Sequence, residues 1–352
     1  MNSAEVILLF FSILAFGVFV LSVLAASTQL REPELSNSRG DVSLSLLLPV
    51  RNEPPPILNA LEEQISAFKS EASTEIIIID NGSERPVAFK HMPLNSSVLR
   101  MEPSDKGSKK QALTQGIEMA QFDWIVTTDA DTRWSADWIN AVRKQALPGK
   151  SMLIGPVFSL ENNSFFSLLS YYESLCLWTI TSASCGMGIP ILASGANLAF
   201  KKTSWQAVNG YDSHIHRASG DDVLLMSEMD AKFPKELAVL KGRNAFTTTV
   251  SENKLSSWLS QRRRWISKTE HLNSPLKKGY SLVLFIWLIA PFFLGVVHLL
   301  LPLLWFLIEY LWIFRLTQWY RLNSHPLRWL LFRSVYPLTL PLILFSSSKA
   351  WK

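Results

Sequence analysis

Trp124-Ile125-Val126-Thr127-Thr128-Asp129-Ala130-Asp131 is the stretch whose reading decides the fold. A short apolar, β-branched run bounded by polar residues reads as a buried strand. It delivers two acids, one residue apart, at its C-terminal end. In an open α/β sheet, ligands lie in the crevice beyond the carboxyl ends of the strands. Two carboxylates there are hard oxygen donors, suited to Mg2+ or Mn2+ carrying a substrate diphosphate. The plainer reading of the pair is a turn that leads to a helix cap near Ser135. The flanking segments decide between the two.

Upstream, Val42 to Val50 reads as a strand that runs into Arg51-Asn52-Glu53 and three prolines, which can open a helix at its first turn. Ile57, Leu58, Leu61, Ile65 and Phe68 follow at helical spacing, and Glu75 to Ile79 is a second apolar strand, ending in Asp80-Asn81-Gly82-Ser83. Strand, helix, strand with continuous apolar strands implies a parallel sheet covered on both faces. Asp80 thus ends one strand as Asp129 and Asp131 end another, although Asn81-Gly82 also suits a simple Asx turn. Lys106-Gly107-Ser108-Lys109-Lys110 precedes a helix through Met119. Lysines at a helix start oppose the local dipole, and a phosphate partner would rationalise them.

Downstream, Trp134 to Leu147 reads as a helix, Met152 to Val157 as a strand, and Phe165 to Thr181 as a long aromatic helix. That helix is either core or an element lying on a membrane or along an acceptor groove. Ala193-Ser194-Gly195-Ala196-Asn197 is a small-residue segment where backbone can approach a ligand, or else a bulged strand. Ser219-Gly220-Asp221-Asp222 opens a further helix, and a carboxylate beside a bound diphosphate can act as general base toward an acceptor hydroxyl. His214 and His216, just before it, read as a surface loop. Leu255 to Ile266 reads as an amphipathic helix bearing Gln261-Arg262-Arg263-Arg264-Trp265. Arginine suits lipid headgroups or bidentate phosphate recognition, and a Trp face stacks on a sugar.

The whole chain has 352 residues, 48% hydrophobic and only 18% charged, too apolar for an ordinary soluble enzyme. The excess lies at the two ends. Val6 to Ala26 is long enough to span a bilayer and reads as an uncleaved anchor. Tyr280 to Phe314 reads as one kinked helix or a hairpin of two, and a third apolar patch runs from Trp329 to Phe345. Arg31, Arg39, Lys277 and Lys278 flank the central region, which assigns it to the cytoplasmic side. The net charge of +5 lies largely beside the membrane, so anionic headgroups rather than nucleic acid are the expected partners. Cys176 and Cys185 fit no metal or redox spacing.

Together these segments resemble the membrane-bound family 2 glycosyltransferases with a GT-A fold, such as cellulose and hyaluronan synthases, ceramide glucosyltransferase and poly-N-acetylglucosamine synthase. The resemblance spans roughly Val42 to Trp265, and its most specific element is the Q-x-x-R-W motif at Gln261–Trp265. It implies an α/β GT-A domain over residues 42–254. Around that domain it sets a transmembrane anchor (1–28), a linker (29–41), an interfacial helix (255–279) and a C-terminal membrane region of two or three spans (280–352). It further implies a nucleotide-sugar site at Pro49, Arg51, Glu53, Asp80, Lys109 and Asp129, with Gln261 and Arg264 on the diphosphate. Asp129 and Asp131 match the D-x-D motif for Mg2+ or Mn2+, Asp131 being the more direct ligand. Asp221-Asp222 matches the acidic pair whose second member is the catalytic base. Trp265 would floor the acceptor site, with Gly195 and Asn197 beside it. Ser108 and Thr114 depart from the family's glycine and asparagine, and Asn81 stands where many members have a second aspartate.

The implied activity is inverting transfer of a sugar from a nucleotide diphosphate to a lipid or polysaccharide acceptor at the cytoplasmic membrane face. Two alternatives accompany it. One is a processive synthase that secretes its polymer, for which an oligomer or partner subunit would have to complete the channel. The other is a non-catalytic membrane scaffold that binds nucleotide sugars.

Overall fold

The computed structural model describes residues 3–33, 42–67, 73–102, 108–217, 220–269, 274–297 and 300–345. Arg39, Phe68, Lys106, Gly107 and Ser219, each used in the sequence reading, lie outside them. The chain divides into two compact units, one of Arg31–Phe158 with Pro190–Val250, the other of Met1–Leu30, Ser159–Ile189 and Ser251–Lys352.

In chain order the first elements are α1 (Ser3–Ser27), β1 (Leu44–Val50), α2 (Pro55–Ser66), β2 (Thr74–Asp80), β3 (Ser96–Arg100) and α3 (Lys109–Met119). They are followed by β4 (Trp124–Thr127), β5 (Thr132–Trp134), α4 (Trp138–Arg143), β6 (Met152–Ile154), β7 (Val157–Leu160) and α5 (Phe165–Gly186). Next come β8 (Leu198–Lys201), α6 (Lys202–Ala207), α7 (Val223–Lys232), β9 (Leu237–Val239) and β10 (Thr247–Val250). The chain ends in α8 (Leu255–Thr269), α9 (Pro275–Val297), α10 (Leu300–Tyr320) and α11 (Pro326–Phe345).

The α/β unit is built on a seven-stranded sheet of order β3-β2-β1-β4-β8-β6-β9. β1 is parallel to β2 and β4, and β2 to β3, as the apolar strands imply. β8 departs from that expectation, because it inserts antiparallel between β4 and β6. The helix read from Trp134 to Leu147 shrinks to α4, since Thr132 to Trp134 pair instead with Thr247 to Thr249 of β10. Two buried clusters cover the sheet. Leu46, Leu48, Ile76, Ile78 and Val126 belong to one; Leu47, Ile77, Ile79 and Ile125 belong to the other. Alternation along each strand thus serves both faces. The sheet reverses its winding between β1 and β4, so the carboxyl ends of these two strands form the switch-point crevice.

Asn197 ties this core together. Its carboxamide accepts from Trp138 Nε1 at 3.1 Å and donates to the carbonyls of Pro156 (2.8 Å) and Ala245 (2.9 Å). A Cβ on Gly155 would lie 2.2 Å from Asn197 Cγ. Gly155→Ala is therefore expected to lower stability by about 1–3 kcal/mol through overpacking, read as a drop in thermal unfolding temperature.

In the helical unit, α1 packs on α5 and α9, with the Phe19 ring stacked on Trp287 at 5.4 Å. The Tyr280–Phe314 run is shared by two helices, α9 and α10. Among the described residues, two helical segments are long and apolar enough to cross a membrane, Leu9–Ser27 and Leu300–Tyr320. α10 and α11 carry a buried ion pair. Arg333 Nε donates to Glu309 Oε2 at 2.7 Å and Nη2 to Oε1 at 3.0 Å, with both side chains at most 1% exposed. Trp305 Nε1 also donates to Glu309, at 2.7 Å, and Arg333 Nη1 reaches the Leu288 carbonyl of α9, in the turn that Pro291 interrupts.

Candidate functional site

Beyond β1 the chain turns sharply at Asn52, whose φ of 53° lies in the left-handed region that asparagine tolerates. The turn is held by the Asn52 amide donating to Ser83 Oγ (3.0 Å) and by Asn52 Oδ1 accepting the Glu84 amide (2.9 Å). Arg51 is exposed and Glu53 half-buried, while Pro49 lies within β1 opposite Ile79. Beyond β4, Thr127 and Thr128 donate their hydroxyls to the carbonyls of Gly195 (3.0 Å) and Ala196 (2.9 Å). The Asp129 carbonyl then accepts the Thr132 amide at 3.1 Å, closing the turn that carries Asp129 and Asp131. Thr249 Oγ1 of β10 reaches Asp131 Oδ2 at 3.4 Å.

Lys109 gathers this rim. Its ammonium lies 2.6 Å from Asp129 Oδ1 and 3.0 Å from Asp221 Oδ2. The lysine is the first residue of α3, whose start is fixed by a capping box between Ser108 and Gln111. The serine that departs from the family's glycine is thus a helix cap. Gly195 backs the ion pair, for a Cβ there would meet Asp221 Oδ2 at 3.0 Å and Lys109 Nζ at 3.3 Å. Burial opposes the charged ammonium, but Asp129 and then Asp221 hold the Lys109 pKa well above its ordinary value. Two neighbouring acids shift the other way. Burial first, then the charges of Asp131 and Asp129, push the Glu53 carboxyl up. Burial and then Asp129 do the same to Asp131.

Lys110 anchors the segment that leads to the acidic pair. It is 2% exposed and donates to the carbonyls of His214 (2.7 Å) and Arg217 (3.1 Å). The two lysines therefore contact acids and carbonyls of the protein, where the sequence suggested phosphate. His214 is likewise buried rather than at the surface, with Nδ1 beside Ser213 Oγ at 2.8 Å and Glu228 at 3.3 Å. Asp222 caps α7 by accepting the Val223 amide at 2.7 Å, and it is 7% exposed.

Asp80 stands apart from this cluster. Its Oδ1 accepts the Ser83 amide (2.9 Å), while Oδ2 accepts the Val87 amide (3.1 Å) and Arg100 Nη1 (2.5 Å). Against the effect of burial, the Ser83 and Val87 hydrogen bonds and the Arg100 guanidinium hold its carboxyl below the ordinary range. The carboxylate is enclosed, and Arg100 is the exposed partner of the pair. Asn197 also departs from its expected place. It is fully buried, with both polar ends of its carboxamide engaged in the core, so it presents no group to an acceptor.

The Q-x-x-R-W residues belong to the helical unit, on α8. Gln261 and Trp265 are half-buried and Arg264 is exposed. The residue that sequence reasoning passed over is Arg262, which is buried against Glu173 of α5. A lone acid inside an apolar helix, as Glu173 is, signals such a partner.

Among the described residues, no group of three or more His, Cys, Asp or Glu side chains is assembled for a metal. The donor set at Asp129 and Asp131 is nonetheless hard oxygen, and burial together with the neighbouring carboxylate charges raises Glu53 and Asp131, an environment that a divalent cation would relieve.

Known proteins share this architecture. Residues 45–205 match the family described as "Glycosyl transferase family 2", a range that contains Glu53, Asp80, Lys109, Asp129 and Asp131. An N-acetylglucosaminyltransferase of Rhizobium leguminosarum bv. phaseoli is 23% identical over 240 residues, 64% of this chain and 54% of the relative. A probable glycosyltransferase of Sulfolobus acidocaldarius is 23% identical over 274 residues, 73% of this chain and 56% of the relative. The chain thus spans a little over half the length of the curated relatives it matches. In fold it is similar to a mannosyltransferase from Pyrobaculum calidifontis, solved in complex with GDP-Man and Mn2+, with a TM-score of 0.56 and 16% identity over 96% of this chain and 92% of that one. Residues 45–205 thus match glycosyl transferase family 2, and the α/β unit has a GT-A fold.

Proposed function

We propose that the protein is an inverting glycosyltransferase that moves a sugar from a nucleotide-diphosphate donor to a lipid or glycan hydroxyl at the cytoplasmic face of a membrane. The observation that carries the reading is the Lys109-centred cluster, in which acids from distant stretches of chain converge at the carboxyl rim of the sheet. Pro49, Arg51 and Glu53 border the nucleotide, and Asp80 acts by fixing its loop and Arg100 beside it. Asp129 and Asp131 would hold a divalent cation, which would supply positive charge to neutralise what builds on the leaving diphosphate. Gln261 and Arg264 donate to the diphosphate, and Trp265 stacks on the acceptor.

As the acceptor oxygen bonds to the anomeric carbon, the bond from that carbon to the diphosphate breaks, and Asp222 takes the hydroxyl proton. One displacement without a covalent intermediate inverts the centre, which parallels inverting glycosidases. The apolar helices make the protein multi-pass, and Arg31, Lys277 and Lys278 favour a cytoplasmic catalytic domain.

Detergent-solubilised full-length protein tests the proposal when it is screened against nucleotide sugars with Mg2+ or Mn2+. The panel includes GDP-Man and N-acetylglucosamine donors, to which the relatives' names point. Metal-dependent release of nucleoside diphosphate from one donor class, with a single sugar added to a lipid or glycan by mass spectrometry, is the expected result. No release from any donor with either metal would overturn it, and long polymer products would point to a processive synthase.

A pH dependence follows. The folded protein holds protons on Glu53 and Asp131 above their ordinary values of 4.5 and 3.8, whereas the unfolded chain does not. Their ionisation therefore opposes folding as pH rises through that interval. A divalent cation competes with those protons, so metal-dependent donor binding is expected to strengthen across the same interval. Donor titrations between about pH 4 and 7 check this. Asp131→Asn is expected to raise the unfolding temperature of the ligand-free protein while abolishing the metal dependence.

A further inference from the structure

Arg262 occupies a variable position of the Q-x-x-R-W motif and is held by several groups at once. It is 2% exposed. Nε and Nη2 donate to Glu173 Oε2, the first at 2.9 Å, and Nη2 also donates to Ser170 Oγ at 2.8 Å. The other Glu173 oxygen accepts the Tyr336 hydroxyl. The flat guanidinium lies 4.2 Å from the Trp258 ring centroid and 5.1 Å from that of Trp265, within the range of cation–π attraction. Its Nη1 donates to Gln261 Oε1 at 2.6 Å.

This last contact has a chemical consequence. A guanidinium carries donors and no acceptor, so the Gln261 atom that faces it must be the carbonyl oxygen. The NH2 of the same amide is left to face away from Arg262. Phosphate oxygens accept hydrogen bonds, and only this orientation of Gln261 suits them. Turned over, the amide would set its carbonyl against a negative diphosphate.

We infer that Arg262 is a positioning residue that sets Gln261 as a hydrogen-bond donor toward the donor diphosphate and steadies the indole of Trp265. The inference rests on the proposed role of Gln261. Tyr336 holds Glu173, Glu173 holds the guanidinium, the guanidinium orients the amide, and the amide meets the ligand. No arginine contact with substrate is involved. Arg264, two residues on, is exposed.

Steady-state kinetics of the full chain in detergent tests this, with the donor found in the nucleotide-sugar screen and thermal unfolding as the check on folding. Gln261→Ala is expected to raise the donor KM about tenfold, the effect of losing a hydrogen bond to a charged group. Gln261→Glu is expected to raise it at least as far, because it sets a charged acceptor against the diphosphate. Arg262→Met is expected to raise donor KM more than it lowers kcat, and to add nothing to donor KM when combined with Gln261→Ala. Multiplying effects in the double variant would overturn the inference, since Arg262 would then act independently of Gln261. Should Arg262→Met fail to fold, Gln261→Glu decides alone, and a wild-type donor KM in that variant overturns the inference. An unchanged donor KM in Gln261→Ala, with transfer intact, would remove this inference and leave the glycosyltransferase reading standing.

Discussion

Asp222→Asn is expected to lower kcat about a thousandfold while leaving the donor KM nearly unchanged. The substitution separates the two functions of the side chain. Asp222 accepts the Val223 amide at the start of α7, and an asparagine oxygen serves that cap as well as a carboxylate does. The cap at the start of α7 therefore persists, while the capacity to take a proton is lost. Steady-state kinetics with a thermal melt checks both parts. Asp221→Asn has a different signature. It removes one of the two carboxylates that hold Lys109, so donor binding and stability are expected to change together. Turnover near wild type in Asp222→Asn would move the base to another acid.

The second large effect concerns Glu309 and Arg333. Removing either partner alone leaves the other charge buried without compensation, a change that typically costs about 3–5 kcal/mol. Glu309→Leu and Arg333→Met are each expected to lower the unfolding temperature of the detergent-solubilised protein sharply. The double variant is expected to recover most of the loss, because apolar side chains of similar volume replace such a pair at little cost. Trp305 and the Leu288 carbonyl each lose a partner in these variants, so recovery falls short of complete. A double variant no better than the singles would show that the pair acts through something other than mutual compensation.

Much of this architecture was legible because apolar strands and the acids that follow them are local patterns. β1, β2 and β4 read directly as buried parallel strands, and their ends set Glu53, Asp80, Asp129 and Asp131 on one rim. Strand direction is not a local property, and so the antiparallel β8 was not foreseen. β5 reads as part of a helix because its partner lies in β10, more than a hundred residues on. The same limit hid the partners of side chains. In sequence Lys109 suggests a phosphate partner, but its salt bridges depend on Asp129 and Asp221 meeting in space. Asn197 resembled a ligand contact because the groups that engage it come from Trp138, Pro156 and Ala245. Arg262 left a usable trace, since Trp258, Arg262 and Trp265 fall on one helical face.

The Glu309–Arg333 pair also bears on how the chain is made. The two residues are separated by 24 positions, so during synthesis the acid emerges well before the base that neutralises it. For that interval α10 holds a charge in apolar surroundings, and α9 has a carbonyl awaiting Arg333. α11 thus completes this pair, and a chain truncated ahead of Pro326 would present cellular proteases with a buried acid lacking its base.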